Sequence, residues 1–125
     1  MDDLYIEFSN WLDKYLSDDL PESIIAVNFN LYEGSDPSYH VQFVGCDRFD
    51  EEDEDWCCYD VFTTGEDIFC VPRTNEIVQW EQGLAFITTI VEKYLNEGRF
   101  AEKLKSCKAV GIGFVDGDLD ILYSS

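Results

Sequence analysis

The chain is expected to fold as one α+β domain spanning residues 1–125. The layout is a mostly antiparallel sheet of five or six strands, an N-terminal helix, a long central helix followed by a short one, and a C-terminal β-hairpin. Three observations predict it. Residues 24–33 and 39–44 alternate side chains with the period of two that marks a half-buried strand. Residues 77–95 repeat apolar side chains at the spacing of a helix. Asp116-Gly117 separates the apolar runs 109–115 and 118–123, and Asp-Gly is a preferred two-residue hairpin turn. A length of 125 residues, 46% hydrophobic and 15% aromatic, suffices for one core and is too apolar for a disordered acidic chain.

In the first helix Leu4, Phe8, Trp11, Leu12 and Tyr15 form one apolar stripe, and Glu7, Asp13 and Lys14 lie opposite. Asp2 or Asp3 can cap its start. Asp18 and Asp19 fall at its C-terminal end, where negative charge opposes the helix dipole, and Pro21 stops it. In the first strand Ile25, Val27, Phe29 and Leu31 face one way, and Ala26, Asn28, Asn30 and Tyr32 the other. A turn at 34–38 leads to a second strand with Tyr39, Val41 and Phe43 on the apolar side. Asn28, Asn30, His40 and Gln42 then share the polar side. Residues 56–62 read as a third strand and 68–71 as a short fourth, ended by Pro72. Asn75 is the expected N-cap of the central helix. Its stripe comprises Ile77, Trp80, Leu84, Ile87, Val91 and Tyr94, widened by Val78, Phe86, Ile90 and Leu95. Residues 96–98 end it, and a short helix at 99–106 buries Phe100 and Leu104. The two-residue turn pairs Phe114 with Leu119, Ile112 with Ile121 and Val110 with Tyr123 on one face. Gly111, Gly113, Asp118 and Asp120 are left on the other, thin and acidic.

The functional signal is the run at 45–62, GCDRFDEEDEDWCCYDVF. Seven of the nine residues from 47 to 55 are carboxylates and one is Arg48. Adjacent carboxylates repel one another and cannot be buried unpaired, so they face water, a cation or a basic partner. The net charge is −19. Residues 1–92 hold 22 acids against Lys14, Arg48 and Arg73, whereas 93–125 hold five of each sign. Phosphate-bearing partners, nucleic acid or anionic membrane, would be repelled, and a basic protein attracted. The alternative is that the acidity serves only solubility. The candidate contacts are Asp50, Glu51, Glu52, Asp53, Glu54, Asp55 and Trp56; Trp56 reads equally as an aromatic anchor or as core.

Other chemistry finds no support in the spacing. Cys57 and Cys58 are adjacent, and nothing makes Cys46, Cys70 and His40 converge on either, so no metal or cofactor is expected and the thiols read as packing groups. His40 is the single histidine and no nucleophile motif accompanies it, so an enzyme is not expected. The acidic run lacks the glycine and terminal glutamate of a calcium loop. There is no long apolar run, and the acidic start MDDLYIEF is unlike a signal peptide. With an odd cysteine count this points to reduced thiols and a cytoplasmic location.

In size, acidity and layout, with NFNLYEG, DEEDEDW and KAVGIGFVDGDLDIL as its segments, the chain resembles the immunity proteins encoded beside bacterial polymorphic and contact-dependent-inhibition toxins. The resemblance implies a stoichiometric inhibitor that occludes the active site of a basic toxin domain, often a nuclease. It carries no site residue over. A competing expectation is a small ligand-binding or enzymatic domain that uses the polar sheet face around Asn28, Asn30, His40 and Gln42.

Overall fold

Alternation along the strands and the helical stripes meet in two layers, a six-stranded sheet with three helices packed on one of its faces. The computed structural model describes residues 2–18, 20–33, 38–50, 52, 56, 59–65, 67–72, 79–114 and 119–124. In chain order the elements are α1 (Asp2–Leu16), β1 (Ala26–Glu33), β2 (Ser38–Cys46), β3 (Asp60–Thr63), β4 (Phe69–Pro72), α2 (Trp80–Glu97), α3 (Ala101–Lys105), β5 (Ala109–Phe114) and β6 (Asp120–Ser124). The strand order is β3-β2-β1-β5-β6, with β4 also paired to β2. β3 joins β2 at Val44–Cys46 and β4 joins it at Ser38–Val41, so the two share one edge of β2. The one parallel pair described, β1 with β5, is bridged by a connection that contains α2 and α3.

The core lies between the helices and the odd-numbered side of β1 and β2. Phe8, Leu12 and Leu16 of α1 pack with Val27, Phe29 and Leu31 of β1, Val41 and Phe43 of β2, and Ile87, Ile90, Val91 and Tyr94 of α2. Phe8 meets the rings of Trp11, Phe29, Phe69 and Tyr94. The C-terminus of α1, burdened by nearby aspartates, is relieved from α3: the Lys103 ammonium donates to the carbonyls of Leu16 and Asp18.

Several details depart from the expected ones. The third strand starts at Asp60, not at residue 56, because Trp56 turns into a 3₁₀ segment and Tyr59 N donates back to its carbonyl. α2 is capped at Gln79, whose backbone N–H donates to Gln82 Oε1; Asn75, Ile77 and Val78 lie outside the described residues. Trp80 is 50% exposed and touches Phe114 edge-on, so it is no core member. Ile25 is exposed rather than buried. Gly98 ends α2 in extended backbone, not in the left-handed turn of a glycine stop. β5 and β6 pair antiparallel as expected, with the joining turn outside the described residues. Val110 faces Tyr123, but a bulge then brings Ile121 opposite Gly111 and Asp120 opposite Ile112. The extra residue, Leu122, puts Ile121 at 43% exposure instead of beside buried Ile112.

Candidate functional site

The second face of the sheet, away from the helices, carries the even-numbered residues of β1 and β2, and it is graded along its length. At one end small and apolar side chains lie together: Ala26 of β1, Val44 and Cys46 of β2, and Ala109 of β5. The two aromatic residues that flank the acidic run cover this end. Trp56, 2% exposed, packs into that cluster, and Phe49 meets its ring edge-on at 5.3 Å between centroids. Alanines at 26 and 109 leave the depth an indole needs above the sheet. Of the two readings offered for Trp56, core residue and partner anchor, the structure therefore gives core.

Phe49 and Trp56, which flank the six acids Asp50 to Asp55 in the sequence, are thus in ring contact with each other. Asp50 and Glu52 are exposed, and Asp50 Oδ1 accepts from the backbone N–H of Glu52 at 2.9 Å. Glu51, Asp53, Glu54 and Asp55 lie outside the described residues. Arg48, the only base in the run, is engaged elsewhere. Its Nε donates to Asp47 Oδ1 at 3.3 Å and its guanidinium lies 3.9 Å from the centre of the Tyr59 ring. Asp50 and Glu52 have no ion pair among the described residues.

Tyr59, 49% exposed, follows the acidic span, and Val61, also exposed, lies next to it on the edge strand β3. The pattern alone did not single these two out, because an exposed strand residue looks the same as a buried one in a run such as 56–62. β3 is an edge strand, and the register shift opposite Gly45 and Cys46 leaves Val61 as its extra residue.

The middle of the face is a row of amides. Gln42 Nε2 donates to the Gly65 carbonyl at 3.1 Å, Asn30 Nδ2 donates to Gln42 Oε1 at 3.2 Å, and Asn28 Nδ2 donates to Asn30 Oδ1 at 2.5 Å. Tyr32 OH donates to Gln42 Oε1 as well. Asn28 is 1% exposed, and its Oδ1 has no hydrogen-bond partner among the described residues. Gly111 lies opposite Asn28, and a Cβ there would fall 2.6 Å from that oxygen. The expected polar group of Asn28, Asn30 and Gln42 is therefore brought together. His40 sits beyond it, its Nε2 3.0 Å from Ser38 Oγ. His40 pairs across strands with Cys70, whereas Cys46 lies at the far end of β2, so the three do not meet. A cavity of about 300 Å³ opens elsewhere, between Leu16, Leu20, Ile24, Phe43, Leu104 and Cys107; none of the amide-row residues lines it, and burial pushes the Cys107 thiol above its ordinary range.

No helix among the described residues is long and apolar enough to cross a membrane. Comparison with protein-family models, with curated proteins and with solved structures yields no match for this chain.

Proposed function

We propose that the chain is an acidic binding protein, an immunity protein that inhibits a basic toxin domain by covering its active site. The observation that supports this reading is the acidic run flanked by the packed rings of Phe49 and Trp56, with exposed Asp50 and Glu52 making no ion pair among the described residues in a chain of net charge −19. Flanks that are packed together beforehand need no further ordering when a partner is met. The charge of the run accelerates encounter with a basic surface such as a phosphate-binding nuclease site. The protein acts stoichiometrically in this reading and performs no catalysis. It needs no cofactor, avoids nucleic acid and anionic membrane, and works in the cytoplasm beside the toxin.

The test uses the polypeptide encoded next to this chain's gene. Co-expression is expected to abolish its toxicity. Neutralising Asp50–Asp55 to Asn and Gln is expected to slow association at least about tenfold at low salt, and by much less at high salt, with stability unchanged. A neighbouring product that is harmless, or one that binds the neutralised variant as fast as the parent at low salt, would remove the proposal.

A second reading, a small-ligand domain on the amide row, is favoured by one observation, the buried acceptor on Asn28 that has no partner among the described residues. Burying such an oxygen without a donor is costly, and a ligand N–H or O–H would satisfy it. Saturable binding of a neutral polar ligand, abolished by Asn28→Leu, would select this reading over the first.

A further inference from the structure

The geometry points to a seat for a partner's arginine at the foot of the acidic span, formed by the Asp47 carboxylate and the Tyr59 ring and occupied in the unbound protein by the chain's own Arg48. This inference rests on the reading of the acidic surface as protein-binding.

The two sides of the seat are built into the fold. Asp47 N donates to the Tyr59 carbonyl at 3.3 Å, which holds the end of β2 against the entry to β3. Tyr59 N donates in turn to the carbonyl of buried Trp56, which ties Tyr59 to the second apolar cluster. A carboxylate and an aromatic face side by side suit a guanidinium, which takes hydrogen bonds in its plane and stacks through its faces.

The chemistry of the occupant is already displayed: Arg48 makes both contacts, one to Asp47 and one to Tyr59. Its hold is loose. It pairs with its own sequence neighbour, the ion pair is exposed on both sides, and surface pairs of this kind contribute little. An incoming arginine can therefore take the seat at small cost. On displacement Arg48 gives up both contacts to the incoming guanidinium. The partner that fits is a basic protein surface carrying arginine, and a lysine-rich one fits less well.

The test measures binding of oligoarginine and oligolysine peptides of equal length, by calorimetry at low and high salt, with circular dichroism melts to check the fold of each variant. Tyr59→Leu is expected to reduce the preference for arginine over lysine by about two- to fivefold, the range of an exposed cation–π contact, and Tyr59→Phe to keep it. Arg48→Gln is expected to strengthen oligoarginine binding more than oligolysine binding. Equal strengthening of both peptides would mean that only net charge changed, and an arginine preference untouched by Tyr59→Leu would show that the ring is no seat; either result overturns the inference. The neutralised Asp50–Asp55 variant separates the two levels. If it weakens both peptides while the seat variants leave the ratio unmoved, only the seat fails. If it weakens neither peptide, the acidic-surface reading fails and takes the seat with it.

Discussion

Replacing Trp56 with alanine tests whether the acidic span is fastened to the sheet through this side chain. At 2% exposure nearly the whole indole is removed from water. A buried tryptophan covers about 150–250 Å², worth about 4–6 kcal/mol at about 25 cal/mol per Å². Compactness of the unfolded chain lowers that figure, and measured Trp→Ala changes in cores cost about 3–5 kcal/mol. Trp56 sits in the smaller of the two apolar clusters, among few and mostly small side chains, so the low end applies, about 3 kcal/mol. Domains of this kind have a total stability of about 5–15 kcal/mol. With unfolding entropy near 2.1 cal/mol/K per residue, the loss lowers the melting temperature by about 11 °C. Urea unfolding followed by far-UV circular dichroism measures it, with Trp80→Ala as the exposed control at about 1 kcal/mol. A Trp56→Ala protein within about 1 kcal/mol of the parent would refute the placement of Trp56 in a core and return it to the interface.

Gly83→Ala is expected to destabilise by about 1–3 kcal/mol although alanine favours helices, because the new Cβ would fall 2.5 Å from Cζ of fully buried Tyr39; a thermal melt above the parent's would contradict this. Lys103→Met is expected to cost about 1 kcal/mol by leaving the last carbonyls of α1 without their cation, read as a loss of helix protection in hydrogen exchange at 13–18. Tyr15 is pushed up to about 12 by burial, then by its hydrogen bond to Asp67 and that group's charge. A raised tyrosine binds its proton more tightly when folded, so this stability is complete below about pH 10 and is lost as pH rises to about 12; Tyr15→Phe is expected to flatten the urea midpoint across that interval. Asp67 is held below the usual carboxylate range by hydrogen bonds from Lys14 and Tyr15, so its share is present above about pH 4 and fades only in stronger acid. A Lys14→Met, Tyr15→Phe double variant is expected to lose that acid-side slope.

Periodicity read the faces of the elements well. The stripe of α1, the alternation of β1 and β2 and the body of α2 all follow from where apolar side chains recur. What periodicity does not encode is neighbourhood. Nothing in 26–33 or 109–114 says that these strands lie parallel and adjacent; that follows from placing α2 and α3 across the core face. The hairpin register was legible at Val110 and Tyr123 and failed one residue later, because a bulge at Leu122 leaves no mark in an apolar run. That the acidic run falls between the second and third strands was legible. Its fastening was not, since the alanines at 26 and 109 that admit Trp56 come from distant strands and look like ordinary strand residues. Arg48 read as a lone base in an acidic run, and its seat on Tyr59 depends on the loop's return path, which no spacing rule supplies.

The amide row has a direction. The Gly65 carbonyl can only accept, so Gln42 must present its nitrogen there and its oxygen to Asn30. Asn30 must then offer its own oxygen to Asn28, and the last oxygen in line is left pointing at Gly111. Four groups on three successive segments of chain thus hold a single orientation that is decided at the turn after β3. The turn works as a peg against which the row is tensioned. Gln42→Glu would remove the donor at the peg and set a carboxylate oxygen against the Gly65 carbonyl, while its other oxygen would still accept from Asn30 and Tyr32. Asn30 and Asn28 would therefore keep their orientation, and the oxygen at the far end would still point at Gly111. The change would be felt at the turn after β3, with what the sheet offers at β5 left as it is.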